Sequence, residues 1–148
     1  MSTYQEHVVE GASAVDLVVA LYDGIIRFLY AAIDAVERGD VSARRRAVKR
    51  AFDIIIHLQA RLRMDVGGSP AQALSEFYAS IFAQILQASQ FASREKFEHA
   101  IECVRGVRDA WKQVARENAG IGVVAEAPSP VHSFTGGVES AGASNWTA

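Results

Sequence analysis

The sequence is poor in the groups that carry most protein chemistry. Of its 148 residues one is a cysteine, Cys103. A lone cysteine forms neither an intramolecular disulfide nor a cysteine metal cluster, and this usage suits a reducing compartment. His7, His57, His99 and His132 fall on separate segments. No glutamate has a histidine three residues later, which removes the Glu-x-x-His pairs that hold di-metal centres in helical bundles. Gly67-Gly68 lacks the lysine and spacing of a phosphate-cradling loop and reads as a turn. Positive charge is not in excess either: the formal net charge is −2 with histidine neutral, which offers no global field to attract nucleic acid or an anionic membrane. Asp16, Asp23, Arg27 and Asp34 interrupt the most hydrophobic stretch, so no apolar run is long enough to span a bilayer. The opening Met-Ser-Thr-Tyr-Gln-Glu-His lacks the basic-then-apolar pattern of a signal peptide. These absences leave no catalytic residue, no metal and no cofactor to assign. They point to a cytoplasmic protein that works by binding, without nucleic acid and without direct membrane insertion.

What is present is a large supply of apolar residues, 50% of the chain, in a length suited to one domain. The periodicity is helical throughout the first 118 residues. Residues 1–12 form a short arm in which Tyr4, Val8 and Val9 are the sizeable apolar groups. Ser13 followed by Asp16 resembles a capping box and opens a helix over about 14–38, which Gly39 stops. Asp40 caps a second helix over about 41–64, with Val48, Ala51, Phe52, Ile55, Leu58 and Leu62 as its inward stripe. Asp65-Val66-Gly67-Gly68 breaks the pattern, and Ser69-Pro70 starts a third helix, because the serine can accept an end amide and the proline has no amide to leave unpaired. Its inward residues are Leu74, Phe77, Tyr78, Ile81, Ile85 and Leu86. Ser93 caps a fourth helix, in which Phe97, Ala100, Ile101, Val104, Val107, Trp111 and Val114 recur at steps of three and four. Four helices of matched length with short joints predict an all-α, antiparallel up-down four-helix bundle over 13–118. Residues 119–148, rich in Gly, Ala, Ser and Pro and without helical period, read as a flexible tail. Phe134 and Trp146 are the aromatic groups of that tail.

The first helix is the exceptional one. Leu21, Tyr22, Ile25 and Leu29 continue a stripe begun by Val18, while Ile26, Phe28 and Tyr30 fall outside it, and a helix apolar on several sides must be covered on several sides. Gly24 sits mid-helix, where it costs roughly 1 kcal/mol relative to alanine; another backbone or a large side chain is expected to pass close to it. That helix is either wholly a core element or also one wall of a groove for a partner. In the one basic run, Arg44-Arg45-Arg46 with Lys49-Arg50, the residues Arg45, Arg46, Lys49 and Arg50 fan over the side opposite Val48, Phe52 and Ile55 and read as a solvated face, because the run has neither interleaved aromatics nor a nucleic-acid-reading motif. His57 lies four residues from Asp53 and from Arg61 on the polar side. Cys103, beside the core stripe, reads as a small filler and not as a nucleophile.

Several ordered blocks then resemble one family. They are Tyr4 in the arm, Ser13 to Asp16, Leu21-Tyr22-Asp23-Gly24, Gly39-Asp40, Met64-Asp65 with Gly67-Gly68, Leu74 with Phe77-Tyr78, and Ala110-Trp111-Lys112. In this order and at these separations the chain resembles the flagellar secretion chaperone family FliS, from the arm to about residue 117. It departs from the family pattern after the double glycine, where Ser69-Pro70-Ala71 stands in place of the usual acidic residue and the loop is short. The resemblance implies a helical bundle that holds the C-terminal segment of flagellin, prevents its premature polymerisation and helps deliver it to the flagellar export gate. Tyr4 and Tyr22 follow from the motif as partner-binding residues, together with Leu21 and Gly24 of the same block; the helical angle adds Ile25 and Phe28. The alternative is a self-assembling helical structural or adaptor protein that binds another amphipathic helix through the same surplus apolar surface.

Overall fold

The computed structural model describes the backbone of residues 2–121 and the side chains of residues 14–63 and 67–117. The tail beyond residue 121, with Phe134 and Trp146, lies outside the described residues, as do the side chains of Tyr4 and His7. Four helices make up the described chain: α1 (Ser2–Arg38), α2 (Val41–Ala60), α3 (Met64–Gln90) and α4 (Arg94–Ile121). Consecutive helices are antiparallel neighbours, and α4 returns to pack on α1, so α1 stands diagonally opposite α3 and α2 opposite α4. This is the four-helix bundle that periodicity and joint length predict.

The joints follow from local chemistry. At the end of α1, Gly39 adopts φ +68°, and the amides of Gly39 and Asp40 donate back to the carbonyls of Val36 and Ala35 at 3.1 and 2.9 Å. That pairing closes the helix in a Schellman turn, which needs a left-handed residue where glycine stands. The Asp40 carboxylate then accepts from the Ala43 amide at 2.9 Å, capping α2 as expected. This bond holds its carboxyl below the usual carboxylate range. The α3–α4 joint repeats the design, with Ser93 and Ala92 donating to Ala88 and Ser89 and Ser93 Oγ accepting from the Lys96 amide at 3.2 Å. Here the left-handed position is filled by Ala92, at φ +46°.

Four boundaries differ from the sequence expectation: α4 runs on to Ile121, three residues past the expected end of the bundle at 118, and three more lie at the start of α1 and around the α2–α3 joint. The helix α1 begins at Ser2, so residues 2–12, expected as an arm, carry helical backbone continuous with α1. Gly11 is the poorest helix former among them, and its cost of about 1 kcal/mol does not by itself stop a helix. The second helix ends at Ala60, with Arg61 as its cap. Helical turns resume at Met64, and the break falls at Gly68 (φ 56°, ψ −142°), after which the long run of α3 starts at Ser69-Pro70. Both glycines are required: Gly68 for its positive φ, and Gly67 because a Cβ there would meet Ala71 Cβ at 2.4 Å.

The core runs the length of the bundle. Tyr22, Ile25 and Leu29 of α1 meet Val48, Ala51 and Ile55 of α2, Leu74, Tyr78 and Ile81 of α3, and Phe97, Ile101 and Val104 of α4. The expected stripe of α4 is buried from Phe97 to Trp111. One expected inward residue is not inward: Leu86 of α3 is 43% exposed, because it lies on the flank of the helix that faces the α2–α3 seam.

Candidate functional site

Residues from three separate sequence blocks meet in the middle of the bundle. Tyr22, fully enclosed, and Tyr78 share a hydrogen bond between their hydroxyls at 2.8 Å, reaching diagonally from α1 to α3. Their rings stand edge to face with centroids 6.2 Å apart, a favoured aromatic arrangement. Burial raises the Tyr78 hydroxyl to about 12. Burial also raises Tyr22 well above its ordinary value, the neighbouring Tyr78 adds to that, and the nearby Trp111 indole works the other way. Both phenols are therefore neutral. The indole nitrogen of Trp111 is itself buried, without a partner in hydrogen-bonding geometry among the described residues. This is a structural cluster: it holds no carboxylate or imidazole to move a proton.

Tyr78 also faces outward. With Ile55, Ile56, Gln59, Ser75, Ala79 and Phe82 it lines a cleft of about 350 Å³ between α2 and α3. Phe52 and Phe82 stack across the seam with centroids 3.9 Å apart, and Gln59 Nε2 donates to Ser75 Oγ at 2.8 Å. Phe52, Ile56 and Gln59 on α2 and Ser75, Ala79, Phe82 and Leu86 on α3 each recur at steps of three and four, so each set forms one stripe along its helix. Ile56 is 57% exposed, Leu86 lies open on the other wall, and the stacked rings form the floor between them. An apolar furrow with anchors at this spacing fits an amphipathic helix.

The other seams are built differently. Along α1–α4, Arg108 donates to Asp23 at 2.9 Å, Arg105 to the Tyr30 hydroxyl at 2.8 Å, and Arg94 to Glu37. Asp23, Tyr30 and Glu37 are spaced by seven residues, two helical turns, so polar latches close this seam at regular intervals. A second cleft, of about 260 Å³, is lined by the polar and charged residues Gln84, Gln87, Glu95, Lys96 and His99. Cys103 lies near it, with its thiol 3.8 Å from His99 Nε2; partial burial, then Glu102, pushes that thiol up and away from reactivity. Among the described residues no three metal-ligating side chains come together, and no helix is long and apolar enough to cross a membrane.

The residues that sequence reasoning put forward divide into two groups. Tyr22 and Ile25 are buried core. Leu21, Gly24 and Phe28 share the stripe of α1 that faces α2, with Leu21 and Phe28 half-buried. The close neighbour expected at Gly24 is Ile54, whose Cδ1 would lie 2.9 Å from a Cβ placed there. The Tyr4 side chain lies outside the described residues. The groove residues Ile56 and Phe82 were missed. The signal for the first was the run Ile54-Ile55-Ile56, which spans about 200° of helix surface and so exposes α2 to apolar contact on both flanks, as Gly24 shows on one side and Phe82 on the other.

Comparison with known proteins points one way. The family model for the flagellar protein FliS matches residues 1–118. The chain is similar to the flagellar secretion chaperone FliS of Salmonella typhimurium, 33% identical over 111 residues that cover 74% of this chain and 82% of that protein. It is similar also to that of Vibrio cholerae, 31% identical over 106 residues (72% and 78%), and to that of Bacillus subtilis, 26% identical over 112 residues (76% and 83%). The matched span contains all but the last turn of the bundle, including the Tyr22, Tyr78 and Trp111 cluster and the groove above it, and on these grounds the chain belongs to the FliS family of flagellar proteins.

Proposed function

We propose that this protein is a non-enzymatic, cytoplasmic export chaperone that holds the C-terminal segment of flagellin, keeps it from polymerising early and aids its delivery to the flagellar export gate. The observation that carries the reading is the open apolar groove between α2 and α3, with Ile56 and Leu86 exposed on a floor of stacked phenylalanines. The names of the relatives supply the biological setting, since those proteins are flagellar secretion chaperones. An amphipathic segment that is disordered when free loses conformational freedom on docking, and a contiguous apolar contact is what can offset that loss. In this reading Tyr22 acts from below, by fixing Tyr78 in the groove wall. Leu21 and Phe28, on the α1–α2 seam, form a further contact region around Gly24, and Tyr4 borders the site. Ile25 supports the bundle beneath them.

The test is calorimetry with the purified full chain and the C-terminal segment of flagellin from the same organism. A discrete complex with a strongly negative heat-capacity change is expected, and Ile56→Asp should abolish it while leaving the helical circular dichroism intact. No complex at micromolar concentrations overturns the reading. Mass that rises with concentration in the absence of flagellin would instead favour a self-assembling subunit, whose second copy fills the same groove.

A further inference from the structure

Charge is segregated along this chain in a way the chaperone reading does not use. Residues 41–63 hold seven of the fifteen basic residues and one of the seventeen acidic ones, in a protein of net charge −2. The basic residues of α2 do not all face solvent away from the groove. Gln59 bonds to α3, Ile56 lines the cleft, and Phe52 stacks on α3; continuing the same stripe by steps of three and four reaches Lys49 and Arg45. On the opposite wall the stripe of Ser75, Ala79 and Phe82 continues to Leu86. The groove therefore has an apolar middle, a polar latch at Gln59 and Ser75 with Arg61 and Arg63 exposed in the joint beyond it, and a cationic wall of Arg45 and Lys49 at its far end. Arg45 is exposed and pairs with no acid among the described residues, while Lys49 has only the exposed Asp53 at 3.2 Å. Beside them Arg44 is half-buried with its Nε enclosed and unpartnered. Arg46 and Arg50 lie instead on the crest of α2, turned away from the seam.

We propose that the groove recognises charge where Arg45 and Lys49 line it: the bound amphipathic helix carries acidic side chains at one end of its apolar stripe, and that end lies over Arg45 and Lys49. The inference rests on the flagellin-segment reading and adds to it a partner charge pattern and an orientation. Complementary charge at one end of a groove sets register and speeds encounter more than it deepens affinity.

The experiment measures the affinity of the full chain for the flagellin C-terminal segment in low and high salt, for wild type, for Arg45→Glu with Lys49→Glu, for Arg46→Glu with Arg50→Glu, and for Ile56→Asp. The two double variants change net charge equally and sit on the same helix, so a general field effect or a folding defect would move both. The groove-wall pair is expected to weaken binding by roughly tenfold at low salt and by little at high salt, where the screening length falls to a few ångströms. The crest pair should stay within about twofold, as expected of exposed charges without a facing partner. Binding that Ile56→Asp abolishes but the groove-wall pair leaves unchanged removes the orientation and keeps the groove. Equal losses in both double variants also overturn the inference, and a wild-type chain that binds no segment removes it together with the groove. Salt-sensitive retention of an RNA or DNA oligonucleotide by Arg45 and Lys49, with segment affinity unchanged, would assign the cationic wall to nucleic acid and overturn the inference.

Discussion

The α1–α4 seam and the α2–α3 seam enclose the same core, yet one is closed and the other open. Along α1–α4, Arg108 is 19% exposed and bonds to Asp23, and further latches follow at Tyr30 and Glu37. Along α2–α3 the single side-chain latch between the two helices that is defined among the described residues is Gln59 to Ser75, and the middle is apolar and accessible. Polar latches across a seam are satisfied within the chain and leave less apolar surface to be covered. An apolar seam without them has surface that only a further element can remove from water, worth about 25 cal/mol per Å². The difference separates the side that holds the bundle together from the side that can hold something else.

The largest effect that would break this comparison comes from two isoleucines. Ile25, buried under both seams, and Ile56, more than half exposed on the open one, should respond oppositely to a carboxylate. Ile25→Glu places an unpaired charge in the core and should cost more than about 4 kcal/mol, enough to abolish the cooperative thermal transition. Ile56→Glu should leave the thermal midpoint nearly unchanged and remove segment binding. If Ile25→Glu folds normally, the burial described for α1 is wrong.

Next in size is the response to alkali of the tyrosine pair that joins α1 to α3. Unfolded tyrosine ionises near 10, whereas burial raises Tyr78 to about 12 and also raises Tyr22 well above its ordinary value. The contribution of the pair is thus fully present below pH 10. It is lost as pH rises through the folded values, because the unfolded chain releases protons that the folded chain retains. The loss is about 1.4 kcal/mol per pH unit per tyrosine, or on the order of 3 kcal/mol for Tyr78 by pH 12. Urea midpoints taken from pH 8 to pH 12 should be flat at first and then fall, and Tyr78→Phe should reduce the slope. A midpoint that falls equally steeply in Tyr78→Phe would detach the effect from the pair.

Cutting one latch on each seam compares them directly. Arg108→Ala leaves the Asp23 carboxylate without its half-buried partner and should lower stability by about 1.5 kcal/mol, the lower end for hydrogen bonds to charged groups because Asp23 is itself 43% exposed. Gln59→Ala, between two accessible side chains, should cost under about 1 kcal/mol and should not close the groove. Equal losses in urea titrations would mean that the seams are held alike.

How far these seams were legible beforehand depends on what periodicity encodes. The caps Asp40 and Ser93 and the stripe from Phe97 to Trp111 were readable, because local hydrogen bonding and helical angle are properties of a few neighbouring residues. Leu86 was assigned inward, although it lies on the groove wall, since angle alone does not say how widely two helices stand apart. For the same reason helical angle points to Leu21, Tyr22 and Phe28 of α1, where Leu21 and Phe28 are only partly covered by neighbouring helices, and does not single out Ile56 within its three-isoleucine run. The Tyr22–Tyr78 bond joins residues 56 positions apart, a pairing that no local pattern contains.

The smallest effect concerns two glycines inside helices. At Gly106 of α4 a Cβ would meet nothing within 4 Å, whereas at Gly24 of α1 it would meet Ile54 Cδ1 at 2.9 Å. Alanine in place of glycine in a helix interior gains roughly 0.5–1 kcal/mol, through the unfolded chain as much as the folded one. Gly106→Ala should therefore raise the thermal midpoint by that increment. Gly24→Ala should gain less or nothing, because the end of the Ile54 side chain must turn aside on a seam that is already filled. Ile54→Val removes the colliding Cδ1, so in that background Gly24→Ala should recover the stabilisation seen at Gly106. A Gly24→Ala gain that is the same with isoleucine or valine at position 54 would show that α1 and α2 do not meet there, and that the closed packing around the Leu-Tyr-Asp-Gly block is looser than the α1–α4 latches require.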